Sequence, residues 1–168
     1  HDVLFQMMQY SDIIFGDQNE WEVASGVPHI PFEALDENYV IDREAYLAYF
    51  RKMHHLFPKC KKMVMAVRNQ IASSHHTLSG LLYDAVEDQL YTTRIYDIQP
   101  VVDPMGVGDA FIAAYIHAHQ KWGDENQYCL DFSLSASAIK NTVPGDQNLV
   151  SEEEIINNMT SSGGRIQR

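Results

Sequence analysis

Apolar positions along this chain fall into two arrangements, short unbroken runs and stripes that recur every three or four residues. The runs SDIIFG (11–16) and KKMVMAVR (61–68) read as buried strands. HDVLFQMMQY places Val3, Leu4, Met7 and Met8 near one helical face, and DQNEWEVASGV predicts a short helix closed near Gly26. PHIPFEALDENYV, rich in proline and acid, reads as a loop. Asp42 is placed to cap REAYLAYFRKMHHLFP, whose Tyr46, Tyr49, Phe50 and Met53 share one side and which Pro58 ends. TLSGLLYDAVEDQLYTTRIYDIQPVVD predicts two strands joined by a turn around Asp84–Asp88.

The last third is helical. A helix over 107–121 is followed by DENQYCLDFSLSASAIKNT, where Asp124 and Gln127 have the spacing of a capping box. Leu130, Phe132, Leu134, Ala136 and Ala138 form its packing face. VPGDQNL breaks that helix, and SEEEIINNM starts another with Ser151 and Glu154 as a second capping box; TSSGGRIQR reads as a tail. Repeats, low-complexity tracts and linkers are absent from the sequence. Alternating strands and helices predict one α/β domain with a largely parallel sheet.

Composition narrows the function classes. A chain of 168 residues with 45% hydrophobic content can bury a sizeable core. Its formal net charge of −11 argues against a nucleic-acid surface or a polybasic membrane patch, and an anionic ligand would have to be attracted by local groups. No run is long enough to span a membrane and the N-terminus lacks a signal-peptide pattern, so the expected location is the cytoplasm. Cys60 and Cys129 have no metal-like spacing and read as reduced core thiols. The chain opens on His1 already in helical pattern, as a sequence beginning inside a longer protein would.

The chemistry concentrates in DPMGVGDAFIAAYIHAHQ (103–120). Two glycines let backbone N–H groups turn toward one point, and a helix N-terminus adds partial positive charge, which makes an anion site. Asp109 would repel a phosphate bound directly against it. Its place makes sense when a neutral hydroxyl sits between the two, so that the carboxylate takes the hydroxyl proton while the loop amides stabilise a transferring phosphoryl group.

DPMGVGDAFIAAYIHA resembles the second signature of the ribokinase (PfkB-type) carbohydrate kinases, D-T-x-G-A-G-D ahead of a small-residue helix. The resemblance implies a ribokinase-like three-layer α/β/α fold, with Asp109 as catalytic base and Gly106, Val107 and Gly108 as anion hole. Val107 and Pro104 depart from the usual residues, and a branched Val107 side chain must point away from the phosphates. DIIFGDQNEWE resembles the family's strand followed by N-x-x-E, which organises Mg²⁺ and phosphate through water, with Asp17 and Glu20 at those places. The same two acids also suit the first turn of a helix.

SASAIKNTVPGDQNLVSEEEI and GGRIQR are similar to the C-terminal end of the 2-keto-3-deoxygluconate kinases, as are VRNQIASSHHTLSGLLYD and YTTRIYDIQPVVD to their middle segments. The likeness runs nearly end to end. It implies ATP and Mg²⁺ as cofactors and an adenine pocket near KNTVPG, lined by Asn141, Pro144 and Gly145. It also implies a monovalent-cation site such as one for K⁺ at Asp103, which reads equally well as a strand-end turn residue. The expected function is phosphorylation of 2-keto-3-deoxygluconate at its 6-position. The alternatives are a kinase for ribose or fructose, or a non-catalytic relative that binds nucleotide or sugar acid. Residues 1–168 would be the C-terminal, ATP-binding and catalytic portion of a single domain. The N-terminal half, with a β lid and most of the sugar pocket, would lie outside the sequence, exposing a sheet edge and an apolar face. A homo-oligomer is compatible with this reading.

Arg68, at the end of a strand on the presumed ligand side, is a candidate for a phosphate or a sugar-acid carboxylate, or else a surface charge. The aromatic stripe of Tyr46, Tyr49 and Phe50 reads as core. His54–His55 and His75–His76 read as surface or loop histidines, with no carboxylate or cysteine at ligand spacing.

Overall fold

The computed structural model describes residues 2–30 and 39–161. Part of the 28–40 loop and the GGRIQR segment therefore lie outside the described residues. In chain order the elements are α1 (Asp2–Met8), β1 (Ile13–Gly16), α2 (Gln18–Ser25), α3 (Arg43–Leu56), β2 (Lys62–Ala72), β3 (His75–Asp84), β4 (Gln89–Thr92), β5 (Tyr96–Ile98), α4 (Val107–Trp122), α5 (Asn126–Lys140) and α6 (Glu152–Thr160).

Local sequence accounts for most boundaries. Asp17 caps α2 and exchanges bonds with Glu20 in a capping box, and Gly26 ends that helix in the left-handed region. The Asp42 carboxylate accepts from Ala45 N to cap α3, and Ser151 with Glu154 caps α6. The capping box expected from Asp124 and Gln127 does not form. Glu125 occupies the cap position of α5 without a side-chain bond, while the Asp124 carboxylate lies 2.9 Å from Lys62 Nζ. A full ammonium charge outcompetes a backbone amide for that carboxylate.

The sheet runs β1-β2-β3-β4, with β5 also paired to β3. Only β1 and β2 are parallel; the other pairings are antiparallel, correcting the expectation of a largely parallel sheet. Short turns at 73–74 and 85–88 force hairpins, whereas the β1-to-β2 connection carries two helices and permits a parallel return. Helices nevertheless cover both faces, giving the three-layer arrangement. Met63, Met65 and Val67 of β2 face the cluster built by α1–α3, and Val64 and Ala66 face the cluster built by α4–α6.

The aromatic stripe is core: Tyr46, Tyr49, Phe50 and Met53 are buried, and Phe50 stacks on Tyr83. Both cysteines are buried free thiols. The α1 stripe behaves differently. Met8 is buried, but Val3, Leu4 and Met7 are exposed, and β1 has a single strand neighbour among the described residues. His75 and His76 lie within β3 rather than on a loop or the surface. His76 is 3% exposed, and His75 Nε2 pairs with Asp97 Oδ1 at 2.5 Å.

A buried polar knot joins sheet to helix. Lys62 Nζ donates to Asp84 Oδ2 (3.0 Å), and Asn126 Nδ2 donates to the same oxygen (2.8 Å). Burial pushes the Asp84 carboxyl up, but the bonds from Asn126 and Lys62 prevail and hold it below the usual aspartate value. Removing Asp84 would leave the Lys62 ammonium with Asp124 as its carboxylate partner and strip Asn126 Nδ2 of its buried acceptor, so Asp84→Ala is expected to cost about 1–3 kcal/mol in urea unfolding. A lowered folded value means that the Asp84 contribution is complete above the ordinary value of about 4. It is then lost as pH falls through its own depressed value, so acid should narrow the gap between wild type and Asp84→Ala.

Candidate active site

A cleft of about 430 Å³ opens beyond the carboxyl end of β1. Its walls bring together the starts of two helices, Asp17–Glu20 at α2 and Val107–Asp109 at α4, with Ala66–Arg68 of β2 and Leu78 of β3. Crevices at this end of an α/β sheet collect ligands because loops and helix N-termini converge there.

The glycine turn is shaped by neighbours distant in sequence. Gly106, at φ 70°, is the cap residue of α4 and offers no side-chain bond to the first helical amides. A Cβ at Gly106 would lie 2.1 Å from Asp146 O, so both the backbone angle and the space require glycine. Gly108 is different. It sits inside the first turn of α4 with nothing within 4 Å of where a Cβ would stand, and it lines the cleft. Its missing side chain therefore opens the helix N-terminus to a ligand. Val107 packs against the α4–α6 core, as a branched residue there must, and its carbonyl accepts from Ser137 Oγ at 3.1 Å.

Asp109 is exposed in the first turn of α4 and lines the cleft. Among the described residues no hydrogen bond or ion pair engages its carboxylate. Asp17 and Glu20 face the same space from α2. Asp17 Oδ1 accepts from Glu20 N and Glu20 Oε2 from Asp17 N, both at 2.9 Å, which leaves Asp17 Oδ2 and Glu20 Oε1 outside the capping box. The acids thus cap the helix and also line the cleft, each with one carboxylate oxygen outside the capping box. Arg68 is exposed and is the one cation among the described residues lining it. β2 continues four residues past Arg68, which is therefore not a strand end.

Two expected ligand groups fare differently. The described residues contain no cluster of three or more His, Cys, Asp or Glu able to cage a metal. Mg²⁺ needs no such cage, because it keeps waters and shares substrate phosphates, and the spare oxygens of Asp17 and Glu20 suit that role. At Asp103, the residue expected to border a K⁺ site, the carboxylate has a structural task. Its Oδ1 accepts from Met105 N (3.0 Å) and its Oδ2 from Gly145 N (2.8 Å), so both carboxylate oxygens already brace the turn.

Asn141, Pro144 and Gly145 do not line this cleft. Asn141 is buried, its Nδ2 donates to Ser137 O, and its carbonyl accepts from Val102 N and Asp103 N. Pro144 and Gly145 form an exposed turn beside it. Gly16, Leu78, Pro104, Phe111, Ile112 and Ser137 complete the cleft; Pro104 lies within the glycine motif, and the others carried no sequence signal beyond apolar or small-residue patterning.

No protein-family model matches the sequence, and neither does any curated protein. Solved structures do. A 2-dehydro-3-deoxygluconokinase from Thermotoga maritima superposes with a TM-score of 0.80 at 26% identity, over 95% of this chain and 44% of that one. The fold is that of the ribokinase-like carbohydrate kinases. A PfkB family carbohydrate kinase from Listeria grayi gives a TM-score of 0.73 at 24% identity, over 93% of this chain and 43% of that one. The Arabidopsis thaliana ribokinase complexed with ribose and ATP gives 0.61 at 18%, over 94% and 44%. The chain therefore spans less than half the length of these kinases.

The two glycines should separate by experiment. Gly106→Ala is expected to lower the melting temperature markedly, because a Cβ there meets Asp146. Gly108→Ala, in a helical turn with open space, should leave melting unchanged or raise it slightly.

Proposed function

We propose that residues 1–168 form the ATP-binding, catalytic portion of a ribokinase-type sugar kinase. The observation that carries this reading is the unengaged Asp109 carboxylate, in the same first turn as the uncapped α4 amides and in one cleft with Asp17 and Glu20. An acid next to an anion site is repulsive unless a hydroxyl stands between them, and a kinase active site supplies that hydroxyl.

In the proposed reaction the acceptor hydroxyl gives its proton to Asp109, and its oxygen attacks the γ-phosphorus of ATP. The bond to ADP breaks on the opposite side. Amides of Val107 and Gly108 donate to the transferring oxygens, and the α4 dipole favours the charge that gathers there. Asp17 and Glu20 would hold Mg²⁺ through water, which when bound neutralises phosphate charge. Arg68 would orient either a phosphate or an acceptor carboxylate. Asn141, Pro144 and Gly145 would border the adenine, next to the cleft rather than within it.

The acceptor proposed is 2-keto-3-deoxygluconate, phosphorylated at its 6-hydroxyl. The likeness of the 135–155 segment to kinases of that sugar acid supports this choice, and a free arginine in the cleft suits a carboxylate-bearing sugar. A cytoplasmic location accords with such a reaction, and among the described residues no helix is long and apolar enough to cross a membrane.

The test is ADP release by the intact polypeptide with ATP, Mg²⁺ and 2-keto-3-deoxygluconate, beside ribose, fructose and a no-sugar control. Release specific to the sugar acid is expected; release with ribose or fructose instead would keep the mechanism and replace the acceptor. Asp109→Asn should cut turnover by about 10²–10⁴-fold, the usual contribution of a general base, while ATP binding is largely retained. Unchanged turnover would remove Asp109 from that role.

A further inference from the structure

Trp21 is buried behind the α2 wall of the cleft, 2% exposed. Its indole stacks on Tyr49, with ring centres 6.4 Å apart and planes 9° from parallel, and meets Phe50 edge-on at 5.7 Å. Nε1 is a buried donor that finds no acceptor among the described residues. An unpaired buried donor works against folding, and a plain aromatic ring would avoid that penalty. The N–H therefore does not explain the residue. What remains is the size and flatness of the ring.

That ring meets the backbone at the edge of the cleft. A Cβ at Gly16 would collide with Trp21 Nε1, and it would lie 2.6 Å from Trp21 Cδ1 and 3.1 Å from Glu20 Oε2. The indole edge thus fills the space that a side chain on the last residue of β1 would need, and the Glu20 carboxylate borders the same space. Gly16 leads directly into Asp17, which closes the capping box with Glu20. Gly16, Asp17 and Glu20 all line the cleft. On its other side the ring is held by Tyr49 and Phe50 of α3, so the start of α2 can approach β1 only as far as the indole allows. We infer that Trp21 is a positioning residue for this wall: its ring, held between α3 and Gly16, fixes where Asp17 and Glu20 stand relative to the end of β1. The functional consequence rests on the kinase reading, in which those two acids hold Mg²⁺; the geometric part does not.

Trp21→Leu and Trp21→Phe would be prepared in the intact polypeptide. Phe57→Leu serves as control, a truncation in the same core cluster at a ring that packs on Phe5 of α1. The first readout is hydrogen exchange at the Asp17 and Glu20 amides, both donors in the capping box, and it needs no ligand. The second is the Mg²⁺ concentration that gives half-maximal ADP release with 2-keto-3-deoxygluconate. Trp21→Leu should lose protection at both amides and raise the Mg²⁺ requirement about 10–100-fold, the usual effect of disturbing the support behind a metal-holding group. Trp21→Phe, which keeps a flat ring without the N–H, should stay near wild type in both. Phe57→Leu should melt lower yet leave both readouts unchanged. Unaltered amides in Trp21→Leu would overturn the inference, as would equal losses in Phe57→Leu or in Trp21→Phe. Lost protection with an unchanged Mg²⁺ requirement would make the ring a support of the helix alone and overturn its role at the site. A wild type that releases no ADP with any sugar would sink the kinase reading, and amide exchange would still decide whether Trp21 fixes the wall. Should Trp21→Leu not fold, Trp21→Met carries the same comparison.

Discussion

The position of the glycine turn depends on the last turn of α5. That helix is buried along nearly its whole length, and its serines are spent as ties: Ser133 Oγ on Cys129 O, Ser135 Oγ on Ile155 O and Ser137 Oγ on Val107 O. Small side chains let α4 approach closely, and each hydroxyl finds a carbonyl, so the packing carries little polar penalty. At its end Asn141 O takes the amides of Val102 and Asp103. The segment entering α4 is thereby hung from α5, and the first amides of α4 point where that suspension sends them.

Electrostatics in the cleft follow from this rigidity. A chain of net charge −11 presents Asp17, Glu20 and Asp109 to one space with Arg68 as the lining cation, an arrangement that repels a free anion. Favourable charge comes from backbone: the N-termini of α2 and α4 both open onto the cleft, and α4 has no side-chain cap to occupy its amides. Fixed dipoles of this kind need little reorganisation when charge develops, which is what phosphoryl transfer asks of a site. The acids then suit a ligand that arrives with its own divalent cation.

Several residues serve fold and site together. Asp17 and Glu20 form a capping box and also line the cleft, so a helix-cap role and a role at the cleft are compatible in one geometry. Gly106 and Gly108 look alike in the sequence but are needed for different reasons, one by a left-handed backbone pressed against Asp146 and the other by open space facing the cleft. Asp103, a candidate cation ligand by resemblance, is a brace between turns.

Local physics made much of this legible in the sequence alone. The caps at Asp17, Asp42 and Ser151, the Gly26 stop, the aromatic face of α3 and the strand runs all follow from interactions within a few residues, and the Gly-x-Gly-Asp motif placed Asp109 at the start of a helix. What tertiary structure decided involves partners far apart along the chain. Strand direction was not encoded in apolar periodicity, so the antiparallel β2–β3 ladder was missed. Asp124 left its expected capping role because Lys62, distant in sequence, offered a stronger charge. His76 reads as a surface or loop histidine until the fold encloses it. Sequence determines a residue's chemistry and its near neighbours; burial and long-range pairing, which set the energetic value of that chemistry, arise only when the layers close around it.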